Sequence, residues 1–126
     1  MKESIASALI IVFLCSLCFF TTNTTTRFCN EIKNYAVECF IGINEGDWSA
    51  SAVMLEKAQN RFKQSASLLK TFCVHKDIND IGNALSHLRS AIISKNKDES
   101  LLQVSSLISC IDILSKTDLL SMDNIL

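Results

Sequence analysis

A short segment in the second half of the chain carries the side chains best suited to binding a metal ion. Cys73, His75 and Asp77 alternate along it, and Asp80 and His87 follow. Thiolate, imidazole and carboxylate groups are all zinc ligands, but alternation within a turn is not a recurrent ligand spacing. We therefore favour a structural role for His75, as a hydrogen-bonding residue between two helices. A metal- or small-ligand-binding sensor centred on His75 is the alternative.

No motif in the sequence is typical of an enzyme. Serines are frequent, but none lies in a Gly-x-Ser-x-Gly turn, and the chain has only 3 glycines with which to build a phosphate-binding loop. Three pairs of acidic residues lie close together in the sequence: Glu45 with Asp47, Asp77 with Asp80, and Asp98 with Glu99. Each pair falls at an expected helix start, where the helix dipole stabilises negative charge. We predict a protein that is not an enzyme and has no cofactor.

The most apolar stretch runs from Ile5 to Phe20 and contains no charge, proline or glycine. With its flanking hydroxyl residues it reaches about 19 residues, within the roughly 17–25 that a membrane-spanning helix needs. A cleavable secretory signal is the competing interpretation, but such a signal has a shorter apolar centre and ends at small residues. Here the run ends in a threonine-rich segment, Thr21–Thr26. We predict that residues 1–22 form a retained membrane anchor, with cleavage as the alternative.

Charge gives the expected orientation and limits the partners. Lys2 and the amino terminus precede the apolar run, so the positive-inside preference puts the N-terminus in the cytoplasm and residues 23–126 outside. We expect a single-pass protein of the cell membrane. The chain has 12 Lys/Arg against 13 Asp/Glu and no basic stripe, so we expect no nucleic-acid partner.

Residues 23–126 predict a small antiparallel helical bundle, and the fold class is all-α. The chain has no proline, and its few breaks separate long segments of helical periodicity. The first of these spans about Thr24–Ile43 and is able to continue directly from the membrane helix. Gly46 or Asn44 is expected to end it in a left-handed conformation. Aspartates are expected to cap the next three helices, at Asp47, Asp77 and Asp98.

Apolar residues at spacings of three and four predict the buried face of each helix. For the first helix these are Phe28, Ile32, Tyr35, Ala36, Cys39, Phe40 and Ile43. For the second they are Trp48, Ala52, Leu55, Ala58, Phe62, Ala66, Leu69 and Cys73. For the third they are Ile78, Ile81, Leu85, Leu88 and Ile92, and Gly82 among them predicts a close helix crossing. For the fourth they are Leu101, Val104, Ile108, Ile111 and Leu114, widened by Leu102 and Leu107. Trp48 is expected to be a core anchor.

Four cysteines follow the apolar run, at Cys29, Cys39, Cys73 and Cys110. Two disulfides are one interpretation of this even number. Each cysteine lies on or beside an apolar helical face, however, where a free thiol packs as a small hydrophobic group. We therefore favour free thiols.

The chain ends in an apolar segment that is unsuited to water, which includes Leu119 and Leu120 and closes with Asn124, Ile125 and Leu126. We expect this tail to fold back on the bundle or to dock in the groove of a partner.

Several segments together resemble domain-of-unknown-function family 4363, small single-anchor proteins of endospore-forming, mostly anaerobic Gram-positive bacteria. These segments are Asn44–Trp48, His75–Ile81, Leu85 with Leu88, and the Asn124–Leu126 terminus. The resemblance implies a topology and a location, but no activity. With the anchor, it leads us to predict a non-enzymatic accessory or scaffold module that binds another membrane protein. The candidate interaction or structural positions are Trp48, His75, Asp77, Asn124, Ile125 and Leu126.

Overall fold

The protein forms four α-helices. The computed structural model describes the backbone of residues 1–125 and the side chains of residues 1–117. The helices are α1 (Lys2–Glu45), α2 (Trp48–Phe72), α3 (His75–Ile93) and α4 (Lys97–Ile125), and the described backbone contains no strand. The all-α prediction is confirmed. The predicted packing of the tail, including Asn124, Ile125 and Leu126, lies outside the side chains that the structure describes.

The helices pack as a closed ring in which each contacts the next and α4 returns to α1. Side-chain contacts show that α1 and α2 are antiparallel, because the residue numbers rise on α1 as they fall on α2. These contacts join Thr25 to Cys73, Glu31 to Arg61, and Cys39 to Ser51. With two- or three-residue connections between the helices, the order is up-down-up-down. The predicted antiparallel bundle is confirmed.

Helix α1 is one uninterrupted helix of 44 residues, which confirms that the apolar run continues as helix into the bundle. Its first part is exposed on all sides, and none of its most apolar window is buried by the rest of the described chain. Burial begins at Thr25, and from there one face of α1 lines the core as far as Ile43. By length and composition, α1 is able to cross a membrane, a test that a signal sequence also passes.

The connection between α1 and α2 agrees with its prediction. Gly46 ends α1 in the left-handed region, at φ 76°, which glycine adopts without steric cost. The Asp47 carboxylate accepts a hydrogen bond from the Ala50 amide at 3.1 Å, so Asp47 is the N-cap of α2.

The other two predicted caps are wrong. Helix α3 begins at His75, after Val74 in an extended conformation, so Asp77 lies inside the first turn and acts only through the helix dipole. Helix α4 begins at Lys97, because Lys95 reverses the chain at φ 54° and places Asn96 at the cap position. The Asn96 side-chain oxygen accepts from the Glu99 amide at 3.1 Å, which is the role that we predicted for Asp98.

The buried seam of α3 is confirmed, whereas three apolar residues predicted to face the core are exposed. Ala52 is exposed on α2, Leu102 is 61% exposed on α4, and Phe40 is 39% exposed on α1. Serines occupy some of the buried positions of α2 and α4. The buried serines are Ser51, Ser65 and Ser100. Ser51 can be buried because its hydroxyl donates to the Cys39 carbonyl at 3.2 Å, which compensates for the lost water.

Two glycines allow neighbouring helices to approach closely. A Cβ on Gly82 would lie 3.0 Å from Cζ of Phe62, which confirms the predicted close crossing and shows that the neighbouring helix is α2. A Cβ on Gly42 would collide with the Ser51 hydroxyl and lie 3.3 Å from the Asp47 carbonyl. The contact of α2 with the C-terminal end of α1 therefore depends on a glycine opposite a serine.

Gly42→Ala should destabilise the bundle by about 1–3 kcal/mol, because the new methyl group displaces the Ser51 hydroxyl from its hydrogen bonds. Thermal and urea unfolding of the full-length protein in detergent would measure the change.

Ser51→Ala and the double variant Gly42→Ala with Ser51→Ala are the matched controls. Removing the hydroxyl removes the atom that the methyl group meets, so the double variant should be more stable than the sum of the single effects predicts. Strict additivity would contradict the close-approach explanation.

Candidate functional site

His75 connects α2 to α3. It is the first residue of α3, is exposed, and donates from Nε2 to the Lys70 carbonyl at 2.8 Å. That carbonyl belongs to the last turn of α2, where backbone oxygens lack intrahelical partners. The hydrogen bond between helices that we predicted for His75 is therefore present.

The structure does not gather the remaining ligand candidates around His75. Asp80 accepts from the Lys76 ammonium at 3.2 Å, one turn apart on α3. His87 is exposed about 18 Å further along α3. Among the side chains of residues 1–117, no three His, Cys, Asp or Glu side chains are grouped as a metal would require. The sensor alternative gains no support from this geometry.

Trp48 and His75 lie at opposite ends of the bundle. Trp48 is the first residue of α2 and is half-buried against the core, as a core anchor should be. The opposite end of α2, beside His75, is about 36 Å away along the helix axis. The two candidates therefore do not form one site.

A polar cluster between α1 and α2 was not predicted from the sequence. Arg61 Nε donates to the Glu31 carboxylate at 2.5 Å, and another guanidinium nitrogen donates to the Ser65 hydroxyl. The guanidinium also lies over the Phe28 ring, 5.9 Å from its centroid. The sequence feature that could have revealed the cluster is Ser65, which lies one turn after Arg61 on the buried face of α2. The cluster holds α2 against α1 and satisfies a buried hydroxyl.

Two of the four cysteines that follow the apolar run bear on the choice between free thiols and two disulfides. Cys39 and Cys110 are free thiols, so the two-disulfide alternative is wrong. Burial raises the pKa of Cys39 to about 11, and its thiol donates to the Ser51 carbonyl at 3.5 Å. Burial, followed by the nearby Asp80 carboxylate, raises the pKa of Cys110. Since the thiolate is the reactive form, these two cysteines pack rather than react.

The fold and its features define a class: a four-helix bundle built on the C-terminal half of a long apolar-to-amphipathic helix. A family model, Domain of unknown function (DUF4363), matches residues 19–125. The chain therefore belongs to this family, which confirms the resemblance. The match begins near the end of the apolar run, so most of that run lies outside it. Comparisons with curated proteins and with solved structures give no significant match.

Cys39 should resist alkylation in the native protein. With a pKa of about 11 against 9.0 for an ordinary thiol, its thiolate fraction at pH 8 is lower by about 100-fold. We expect labelling by iodoacetamide, followed site by site with mass spectrometry, to be at least that much slower at Cys39 than in urea-unfolded protein. Cys110, which is only partly buried, is the internal comparison in the same sample and should be labelled faster than Cys39. Equal native and unfolded rates at Cys39 would contradict the buried position.

Proposed function

We propose that this protein is a membrane-anchored, non-enzymatic module that serves as an accessory or scaffold subunit for another membrane protein. Residues 1–22 form the retained single-pass anchor in the cell membrane, and residues 23–126 form the bundle outside it. One observation carries the proposal: the first part of α1 is exposed on every side, although it is the most apolar part of the chain. Such a surface requires lipid or another apolar partner.

The continuity of α1 supports an anchor rather than a signal that is removed. The same helix passes through the threonine-rich segment and begins to line the core at Thr25, within a few residues of the apolar run. Cleavage near Thr22–Arg27 would cut an ordered helix immediately before or within its buried part. The continuous hydrogen-bonded backbone supports retention.

A surface on the bundle supports the binding role. Val37, Phe40 and Ile41 lie on α1 at spacings of three and four and are 42%, 39% and 46% exposed. We call these three residues the α1 apolar patch. Because the patch belongs to the helix that is also the anchor, a neighbouring protein in the same membrane would reach it by extending a helix alongside α1.

Phe13→Arg should release the protein from membranes. Phe13 is near the centre of the apolar run, where an arginine costs about 2.5–3.5 kcal/mol on the insertion scale. The wild-type chain should remain in the membrane pellet after an alkaline wash, and the variant should lose a large share to the supernatant. Leu102→Arg, at an exposed position in the bundle, is the control and should behave as wild type. A mature N-terminus near Thr22–Arg27 would overturn the anchor.

A photoreactive amino acid at Ile41 should crosslink to another membrane protein in native membranes. The same amino acid at Gln64, an exposed polar position on α2, is the matched control. We expect one discrete adduct at Ile41 that is lost when Phe40 is changed to lysine, followed by identification of the captured protein by mass spectrometry. Equal adducts at both positions, or adducts only with a second copy of this chain, would contradict the accessory role.

A further inference from the structure

The position of the α2–α3 turn relative to the anchor follows from one contact. Helix α2 ends at Phe72, the chain reverses at Cys73 and Val74, and α3 begins at His75. The Cys73 sulfur lies 3.6 Å from the Thr25 hydroxyl on α1. The turn is therefore level with Thr25, at the end of the bundle nearest the anchor.

The length of α1 places that level at the membrane surface. Measured from Ile5, a hydrocarbon core of about 30 Å takes up roughly 20 residues of helix, which ends near Thr24. The headgroup layer adds about 5–8 Å on each side. Since the helix continues without interruption into the bundle, Thr25 and the turn beside it fall within that layer.

The chemistry of the turn suits this layer. Val74 at its tip is 50% exposed, and Lys70 and Lys76 flank it, with the Lys76 side chain 80% exposed. Two further basic side chains, Arg27 and Lys116, are exposed at the same end of the bundle. The acidic groups of the turn are Asp77 and Asp80, and Asp80 is already paired with Lys76. An apolar tip between long basic side chains is the pattern that enters a lipid interface and reaches phosphates.

We propose that the α2–α3 turn is a second membrane contact, in which Val74 enters the headgroup layer of the bilayer that α1 spans and the basic side chains of Lys70 and Arg27 face the lipid phosphates. The inference rests on the proposed anchor. The bundle then contacts the bilayer at two points, α1 and the turn. Two contacts fix the distance of the α1 apolar patch from the bilayer and the direction in which the patch faces.

Brominated lipids quench tryptophan at known depths and test the contact in the full-length chain. Trp48 is the only tryptophan and is changed to phenylalanine to give a silent background. Tryptophan is then introduced singly at Val74, at Val53 and at Phe13, and each protein is reconstituted in vesicles of phosphatidylcholine and phosphatidylglycerol. Val53 is the matched control, a valine 48% exposed near the opposite end of α2. Phe13 reports on the anchor.

We expect lipids brominated close to the headgroup to quench Val74→Trp severalfold more strongly than Val53→Trp. Of these two variants, only Val74→Trp should show blue-shifted emission. One result would overturn the turn contact and leave the anchor standing: strong quenching of Phe13→Trp by lipids brominated deep in the acyl chains, with equal, weak quenching at positions 74 and 53 by lipids brominated close to the headgroup. Loss of quenching at position 13 would overturn both. Thr71→Trp, at an exposed site in the last turn of α2, checks the result independently and should be quenched more than Val53→Trp. Equal quenching at positions 71 and 53 would also overturn the contact.

Discussion

The rest of the structure depends on one helix that meets two different surroundings. The first part of α1 is apolar on all sides and buried by nothing in the described chain, whereas its second part buries only one face. An α-helix can make this change without a break, because its backbone hydrogen bonds are satisfied internally in either environment. Only the side chains change. The first part of the helix is apolar all round, whereas the second part has a stripe of buried residues along one face, and Thr25 is the first fully buried residue of that stripe.

Small side chains then determine how closely the other helices approach α1. Ser51 faces Gly42 near the C-terminal end of α1, and Thr25 faces Cys73 at the other end of the bundle. Between them the Arg61 cluster joins α2 to Glu31. The α1–α2 contact thus combines apolar packing with hydrogen bonds at three levels. Polar groups inside a seam favour one register over its neighbours, because a shifted register would leave them without partners.

The geometry of the described side chains supports the proposed structural role. No three candidate ligands are grouped around His75 among these residues, and the cysteines whose pKa values are raised are held as thiols. The exposed apolar surfaces available to other molecules are the apolar part of α1, the α1 apolar patch, and the end of the bundle that carries Val74. Such surfaces suit binding to lipid and to protein, which is the basis of the proposed accessory role.

The sequence by itself determined the local features. Helical periodicity identified the four helices and the whole seam of α3, and Gly46 and Asp47 marked the turn after α1, because these signals act within a few residues. Tertiary structure decided which polar residues are buried. Ser51 and Ser65 enter the core because partners on α1 and α2 satisfy their hydroxyls, and no local pattern shows that. Tertiary structure also left Leu102 exposed, and the turn at Lys95 put Asn96 rather than Asp98 at the cap of α4. The position of Val74 depends on the contact of Cys73 with Thr25, which are far apart in the sequence. Only the packed bundle could therefore place that turn beside the first buried residue of α1.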